Sequence, residues 1–298
     1  MNAMNVQEAA LRWQISERSV RNYCADGRIP GAVMEAGCWK IPADAEKPAR
    51  KQRTGKISNQ LLERLRQEKS AGIPGGIYHK IQIELTYNSN HMEGSRLTHD
   101  QTRFIFETNT IGFETDPVNV DDIIETANHF KCIDTIIDLA NYPLSESMIK
   151  QLHLLLKSGT SDSRKAWFAV GDYKRLENEV GGKDTVKPEN VSREMKKLLK
   201  QYNGKKIKDL TDLIAFHVVF ERIHPFQDGN GRVGRLILFK ECLKHNIAPF
   251  IIEDDLKYFY YRGLNEWQHQ PGYLTDTCLT AQDRFKTYMD HFGLCYED

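Results

Sequence analysis

The residues best suited to chemistry lie in one stretch, His224–Arg235, which reads His-Pro-Phe-Gln-Asp-Gly-Asn-Gly-Arg-Val-Gly-Arg. Pro225 is expected to end the apolar helix before it, because proline lacks the N–H that a helix interior needs. Glycines on both sides of Asn230 allow a tight turn, and Asn230 is expected to cap the next helix. The free amides of Gly229, Asn230 and Gly231 then form an anion pocket at the positive end of that helix.

Charged side chains in the same stretch complete a site for nucleotide phosphates. Arg232 and Arg235 lie three residues apart on the predicted helix, and each can bind phosphate oxygens through two N–H groups. Asp228 offers one carboxylate, and Mg²⁺ typically takes one or two carboxylates plus substrate phosphates. His224 is the residue of the stretch that can accept a proton near neutral pH. Together these residue types predict nucleotide phosphate transfer.

The stretch matches every fixed position of the signature HxFx(D/E)GNGRxxR, and the chain therefore resembles the Fic family. The typical activity of that family is transfer of AMP from ATP to a hydroxyl side chain of a protein, with release of pyrophosphate. The resemblance implies that His224 deprotonates the incoming Tyr, Ser or Thr hydroxyl and that Asp228 binds Mg²⁺ between the α- and β-phosphates. It also implies that Asn230 faces the α-phosphate, while Arg232 holds the β-phosphate side and Arg235 the γ-phosphate.

A second motif, Ser89-Asn-His-Met-Glu93-Gly94, matches the inhibitory pattern of the same family: Ser or Thr, three residues, Glu, then Gly or Asn. It lies at the end of an inhibitory helix expected near residues 75–94. The resemblance implies that Glu93 pairs with Arg235. A carboxylate in that position occupies the guanidinium that would bind the γ-phosphate and repels the triphosphate.

Between residues 167 and 186, glycines and alternating apolar positions predict a β-hairpin. Gly171-Asp-Tyr-Lys-Arg175 resembles the family's Gly-x-Tyr-Arg entry to a flap, with Lys174 in place of the usual Arg. The resemblance implies that a flap at about residues 173–182 docks the target protein by strand addition, which gives little side-chain specificity. The residues assigned to this docking flap are Tyr173, Lys174 and Gly181.

Helical periodicity dominates the chain after residue 56, so the predicted fold class is mostly α: a Fic fold, that is, a helical bundle with a β-hairpin flap. Thr98 and Gln101 have the spacing of a capping box at the start of one helix. The predicted helices span residues 57–70, 75–91, 99–107, 120–141, 146–157, 189–202, 208–223, 230–245, 254–269 and 276–293.

Three segments are predicted along the chain: a small module over residues 1–45, a linker over 46–56 and the Fic domain over 57–298. The linker has almost no large apolar residue. The first module shows two short helices followed by two strands, and it resembles a winged helix-turn-helix of the MerR or excisionase kind.

DNA is a candidate partner of residues 1–45, because Arg18 and Arg21 lie three residues apart on the second helix and could meet phosphates or base edges. Residues 1–54 carry nine basic and six acidic residues. That excess is small for a polyanion binder, so a protein-interaction module stays open as an alternative.

The overall composition is that of an ordinary globular protein. The chain has 298 residues with 41 basic and 41 acidic side chains, and 40% of its residues are hydrophobic. No apolar run approaches the ~20 residues that span a bilayer. The N-terminus lacks the pattern of a secretion signal, and the six scattered cysteines form no CxxC pair. These features predict a cytoplasmic protein with reduced thiols and no membrane partner.

The combined interpretation is a cytoplasmic protein adenylyltransferase that uses ATP and Mg²⁺, acts on a protein hydroxyl (its own among the candidates) and is inhibited by Glu93. Two alternatives stay open: a DNA-binding regulator whose Fic domain senses nucleotide, and a Fic enzyme that transfers another nucleotide or removes AMP. The protein target, the modified residue, the preferred base and a homodimeric state also stay open at this point.

Overall fold

Helices dominate the computed structural model, which describes residues 3–35, 38–48, 60–112 and 117–294. Within these ranges the helices are α1 Val6–Trp13, α2 Glu17–Ala25, α3 Gln60–Ala71, α4 Ile77–Met92, α5 His99–Thr108, α6 Val120–Asp138, α7 Glu146–Lys157, α8 Pro188–Gly204, α9 Leu210–Ile223, α10 Asn230–Lys244, α11 Lys257–Glu266 and α12 Pro271–His291. The strands are β1 Ala3–Met4, β2 Val33–Glu35, β3 Cys38–Pro42, β4 Glu179–Val180 and β5 Lys183–Asp184. The mostly helical fold class is therefore confirmed.

The predicted helix boundaries differ most at the last helix. It begins at Pro271, whereas the apolar pattern predicts a start at residue 276. Proline is tolerated in the first turn of a helix, where its missing N–H would have no partner anyway, so the helix extends back to that residue. Conversely, Asp254–Leu256 forms a separate 3₁₀ turn ahead of α11.

The chain divides into two compact units, Met1–Arg53 with Tyr258–Thr280 and Thr54–Lys257 with Ala281–Asp298. The first unit therefore includes α11 and part of α12, which the predicted boundaries assign to the Fic domain. Lys47 forms an ion pair with Asp276 at 3.4 Å within this unit. Residues 49–56 of the predicted linker lie outside the described residues.

The N-terminal part of the first unit has the two predicted helices and the predicted strand pair. Strand β3 pairs antiparallel with β2 and also with β1, a two-residue strand too short to give a periodic signal. The core lies between the helices and the sheet, with Trp13, Val20 and Ile41 buried in it. Arg18 and Arg21 are exposed on α2, and Arg21 pairs with Glu17 at 2.7 Å. DNA binding and the winged helix-turn-helix assignment stay predictions.

In the second unit, α10 is the element on which the site is built. It is buried along almost its whole length and packs against α4, α6, α7 and α9. Its apolar side chains, such as Leu236, Ile237 and Phe239, lie at helical spacing and are at most 4% exposed. The start of α10 is therefore held rigidly between four other helices. None of the helices described here has the length and hydropathy of a membrane span.

The hairpin is shorter than predicted. Strands β4 and β5 have two residues each, with Glu179 opposite Asp184. Residues 165–172 fold into consecutive tight turns, since the N–H of Phe168 bonds the carbonyl of Lys165 at 3.0 Å and the N–H of Asp172 bonds that of Ala169 at 3.1 Å. These local hydrogen bonds compete with strand pairing, so the alternating apolar residues there do not extend the hairpin.

Candidate active site

The loop between α9 and α10 carries the predicted catalytic residues. His224 ends α9 in the left-handed conformation with φ of 50°, and its N–H bonds the carbonyl of Phe220 at 3.0 Å. Phe226 is completely buried and stacks on His153 of α7, with ring centroids 4.0 Å apart and an angle of 6°. Gly229 begins α10 with φ of 79°. The loop is therefore fixed in its middle by the stack of Phe226 on His153 and at its two ends by α9 and α10.

The capping role expected of the Asn230 side chain is wrong. Its Oδ1 accepts from the N–H of Phe226 at 2.8 Å, and its Nδ2 donates to the carbonyl of the same residue at 2.8 Å. The side chain is 1% exposed and closes the loop onto itself. The reason is geometric: Gly229 takes the cap position, so Asn230 is already in the first turn and can use its amide for the loop backbone. The backbone N–H groups of Gly229, Asn230 and Gly231 stay the predicted anion pocket.

His224 is arranged as a proton acceptor. Its Nδ1 lies 3.3 Å from the carbonyl oxygen of Glu221. Because a carbonyl only accepts, Nδ1 carries the proton and the lone pair of the neutral ring is on Nε2. Burial lowers the pKa of His224 to about 4, and the Lys174 charge acts in the same direction. At neutral pH the ring is therefore uncharged and can take up a proton.

Asp228 and Arg232 belong to a closed ring of charges that the sequence did not predict. Its members are Asp228, Arg232, Glu125 of α6 and Lys157 of α7. The Nζ of Lys157 lies 2.7 Å from Asp228 Oδ2, and the same oxygen lies 3.3 Å from the guanidinium of Arg232. Glu125 closes the ring, because its Oε1 contacts Lys157 and its Oε2 contacts Arg232.

The ring fixes the ionisation of Asp228 and Lys157. Burial raises the pKa of Asp228, but the neighbouring charges of Arg232 and Lys157 outweigh it and hold the pKa well below its usual range. Burial likewise lowers the pKa of Lys157, yet Asp228 and Glu125 leave it raised. Asp228 is thus a carboxylate at neutral pH, and with 47% of its side chain exposed it stays accessible to a ligand.

Arg235 lies against the end of the predicted inhibitory helix, α4. Its guanidinium is 2.7 Å from Glu93 Oε1, and its Nε donates to Ser89 Oγ at 3.0 Å. The backbone carbonyl of Ser89 accepts a further bond from Arg235 at 2.9 Å. Arg235 is 6% exposed, so three acceptors of α4 satisfy a nearly buried guanidinium.

Two glycines permit this approach of Glu93. Gly94 follows it with φ of 95°, a left-handed conformation that favours glycine and turns the chain away from α4. Gly231 lies beneath the carboxylate: a Cβ at that position would be 2.3 Å from Glu93 Oε1. Any side chain at residue 231 would therefore displace Glu93.

Hydrogen bonds of the flap residues connect the hairpin to the loop between α9 and α10. Lys174 is 3% exposed, and its Nζ lies 2.6 Å from both Asn178 Oδ1 and Thr185 Oγ1. Burial lowers the pKa of Lys174 to about 8. The Nδ2 of Asn178 donates to the carbonyl of Phe226 at 3.1 Å, so Lys174 orients a side chain that contacts the loop.

The other two flap residues lie at the ends of this segment. Tyr173 donates its hydroxyl proton to Glu146 of α7 at 2.8 Å, and this bond fixes the entry to the flap. Gly181 is exposed in the turn between β4 and β5. The edge of a two-residue strand pair remains as the surface that could accept another strand.

Sequence reasoning missed Glu125 and Lys157. The sequence does contain a sign that each is buried, since each is a charged residue directly after apolar ones. Glu125 follows Ile123 and Ile124, and Lys157 follows three leucines. A charged residue in such a place needs a buried partner. The sequence alone does not say which partner, because the pairs join residues 32 and 107 positions apart.

Comparison with known proteins agrees with this geometry. The sequence profile of the Fic/DOC family matches residues 143–241, which include α7, the flap, the loop and most of α10. A relative from Drosophila persimilis, named protein adenylyltransferase Fic, is 25% identical over 243 residues, covering 75% of this chain and 46% of that protein. The chain thus spans about half the length of the curated relatives it matches.

Solved structures share the fold. A Fic domain containing signaling protein from Bacteroides thetaiotaomicron superimposes with a TM-score of 0.58 at 24% identity, covering 80% of this chain and 92% of that chain. A Fic family protein from Desulfovibrio desulfuricans gives 0.59 at 20% identity, covering 78% and 74%. Residues 143–241 therefore match the Fic/DOC family profile, the chain is similar in sequence to proteins named protein adenylyltransferase Fic, and it shares its fold with solved Fic proteins.

Proposed function

We propose that this chain is a protein adenylyltransferase that transfers AMP from ATP to a Tyr, Ser or Thr hydroxyl of a protein. One observation carries the proposal: a neutral His224 with a free Nε2 lone pair stands on the same short loop as the anion pocket of α10. A proton acceptor beside a phosphate site is what attack by a hydroxyl on a phosphorus requires. The names of the relatives support the same reaction.

The proposed step balances as follows. The acceptor hydroxyl oxygen bonds to the α-phosphorus, the bond from that phosphorus to the oxygen bridging to the β-phosphate breaks, and pyrophosphate leaves. The hydroxyl proton goes to Nε2 of His224. The amides of Gly229, Asn230 and Gly231 would stabilise the negative charge on the α-phosphate, with Arg232 on the β-phosphate side and Arg235 on the γ-phosphate.

Asp228 is the residue that would hold Mg²⁺. Its carboxylate is ionised and partly exposed, which suits a hard cation that takes one or two carboxylates and completes its shell with phosphates. When bound, Mg²⁺ would neutralise phosphate charge.

We further infer that Glu93 restrains the reaction. The guanidinium of Arg235 already pairs with Glu93 at 2.7 Å, and Ser89 takes two more of its N–H groups. A γ-phosphate competes for the same donors and meets a negative charge beside them. ATP that binds without Arg235 has its α-phosphorus poorly placed for in-line attack, and a small misplacement can cost ~10²-fold in rate.

The test of the reaction uses ATP labelled at either the α- or the γ-phosphorus, with the Glu93→Gly variant as the released form. We expect only the α-label to become protein-bound, and we expect Glu93→Gly/His224→Ala to lose ~10²–10⁴-fold of that rate while still binding nucleotide. Protein-bound γ-label would instead mean phosphate transfer. Near-normal α-label transfer without His224 would remove His224 as the base.

A further inference from the structure

Lys157 is a buried lysine whose ammonium lies at the centre of three carboxylates. The side chain is 3% exposed. Its Nζ contacts Glu125, lies 2.7 Å from Asp228 Oδ2 and lies 3.2 Å from Asp162 Oδ2. An ammonium has three N–H donors, so each donor has one carboxylate.

Convergence of three carboxylates on one point is the arrangement by which proteins hold a metal cation. In this protein the cation at that point is the ammonium group of a side chain, Lys157. No group of three or more His, Cys, Asp or Glu side chains among the described residues is arranged to hold a metal ion. The Lys157 ammonium occupies the point on which the three carboxylates converge.

We propose that the Lys157 ammonium is a resident cation of the phosphate site, which fixes Asp228 and prevents divalent metal from binding before nucleotide arrives. Two of the three carboxylates, Glu125 and Asp162, are engaged by the lysine and do not serve as metal ligands. Asp228 alone is a weak site for a divalent ion. The phosphates must then supply the remaining ligands, and metal enters together with nucleotide.

This proposal rests on the proposed role of Asp228 as metal ligand, but it predicts an event that involves no turnover. The metal site of the nucleotide-free protein is closed by a positive charge. Removal of that charge while the carboxylates stay should open the site. A purely structural lysine would give the opposite result, since its loss would weaken the fold and create no metal affinity.

The test measures Mn²⁺ binding to nucleotide-free protein by electron paramagnetic resonance of the free ion. We expect wild type without nucleotide to bind no Mn²⁺, and with a non-cleavable ATP analogue to bind more Mn²⁺ than the same amount of analogue binds in a protein-free control. We expect Lys157→Met to bind Mn²⁺ without nucleotide at least ~10-fold more tightly than wild type, because one buried positive charge at contact distance is removed. Asp162→Asn in the Lys157→Met background should reduce that gain.

Two controls separate charge from packing. Lys157→Arg keeps the charge and should show no gain. Lys165→Met removes an exposed lysine that lies 2.6 Å from the other oxygen of Asp162, and it should also show no gain. A folded Lys157→Met protein without increased Mn²⁺ binding overturns the proposal. If that variant does not fold, Lys157→Gln, which also removes the charge, is measured in its place, and a folded Lys157→Gln protein without increased Mn²⁺ binding overturns the proposal.

Because the measurement involves no transfer, its outcome is distinguishable from that of the proposed function. Loss of the α-label result would leave the Mn²⁺ measurement unaffected. Absence of the Mn²⁺ gain would likewise leave AMP transfer by His224 intact.

Discussion

Arg232 and Arg235 lie three residues apart on α10 and are both nearly buried, at 4% and 6% exposed, yet they are held in different ways. Arg232 belongs to the closed ring with Glu125, Lys157 and Asp228, in which each carboxylate contacts both cations. Arg235 is held by one helix end, through Glu93 and Ser89. The first arrangement, the ring, joins three helices and a loop. The second, called the clasp below, consists of the contacts that Glu93 and Ser89 make with Arg235.

The difference indicates which contact can change during function. Removing Glu125 from the ring leaves two nearly buried cations, Lys157 and Arg232, short of one carboxylate, which is costly. Opening the clasp frees Glu93, whose side chain is 28% exposed and can be solvated, and a γ-phosphate would replace it on Arg235. Arg232 is therefore built as a fixed part of the site, and under the proposed function Arg235 is the part for which nucleotide would compete.

The largest expected effect follows from opening the ring. Glu125→Ala leaves the buried Arg232 and Lys157 short of one carboxylate, and we expect the free energy of unfolding to fall by ~3–5 kcal/mol. Glu93→Ala is the matched variant on the other arginine, with a smaller expected loss because Ser89 keeps two hydrogen bonds to the Arg235 guanidinium. Urea unfolding of both variants gives the comparison. Equal losses would mean that the two arginines are held alike.

The pH dependence of the transfer rate tests the role of His224 separately from the roles of the two arginines. Because burial lowers the pKa of His224 to about 4, the uncharged ring persists as pH falls to 5.5. A histidine with an ordinary pKa near 6.5 would be ~90% protonated there and would lose about tenfold in rate. We expect transfer by Glu93→Gly at saturating ATP to fall less than ~2-fold between pH 7.5 and 5.5. A tenfold fall would show that the base titrates normally.

The smallest effect concerns the second member of the clasp. Ser89→Ala removes the acceptor of Arg235 Nε but keeps the backbone carbonyl bond, so the clasp should loosen without opening. One such hydrogen bond is worth ~0.5–1.5 kcal/mol, which corresponds to a ~2–10-fold rise in transfer. Ser95→Ala, just beyond α4, is the control. A rise of the same size in the control would assign the effect to the helix end in general.

Much of the fold and of the candidate site could be predicted because its signals are local. The capping box of Thr98 and Gln101 is present at the start of α5 as predicted, since it depends only on residues three apart. The loop His224–Gly229 follows from Pro225 and from the two glycines that flank Asn230. Glu93 was predicted to meet Arg235 by resemblance, and the structure has the two in contact.

The features that could not be predicted are of two kinds. Some depend on partners far away in the sequence, and one depends on which of two neighbouring residues caps a helix. Lys157 and Glu125 carry no motif, and their significance appears only when α6, α7 and α10 are packed together. Asn230 has the composition of a cap, but Gly229 takes that position, so the same side chain closes the loop instead. Lys174 was assigned to the docking flap by resemblance, and the sequence does not show that its side chain is buried among side-chain oxygens.

The central claim is that this chain transfers AMP and that Glu93 restrains the transfer by holding Arg235. Its most direct test is the rate of α-label incorporation from ATP, into the protein itself and into candidate acceptors, for wild type, Glu93→Gly and Glu93→Gly/Arg235→Ala. We predict that Glu93→Gly raises the rate ~10²-fold and that the double variant loses most of that gain, because the freed guanidinium does the positioning. An unchanged or lower rate for Glu93→Gly on every acceptor, itself included, would contradict the account.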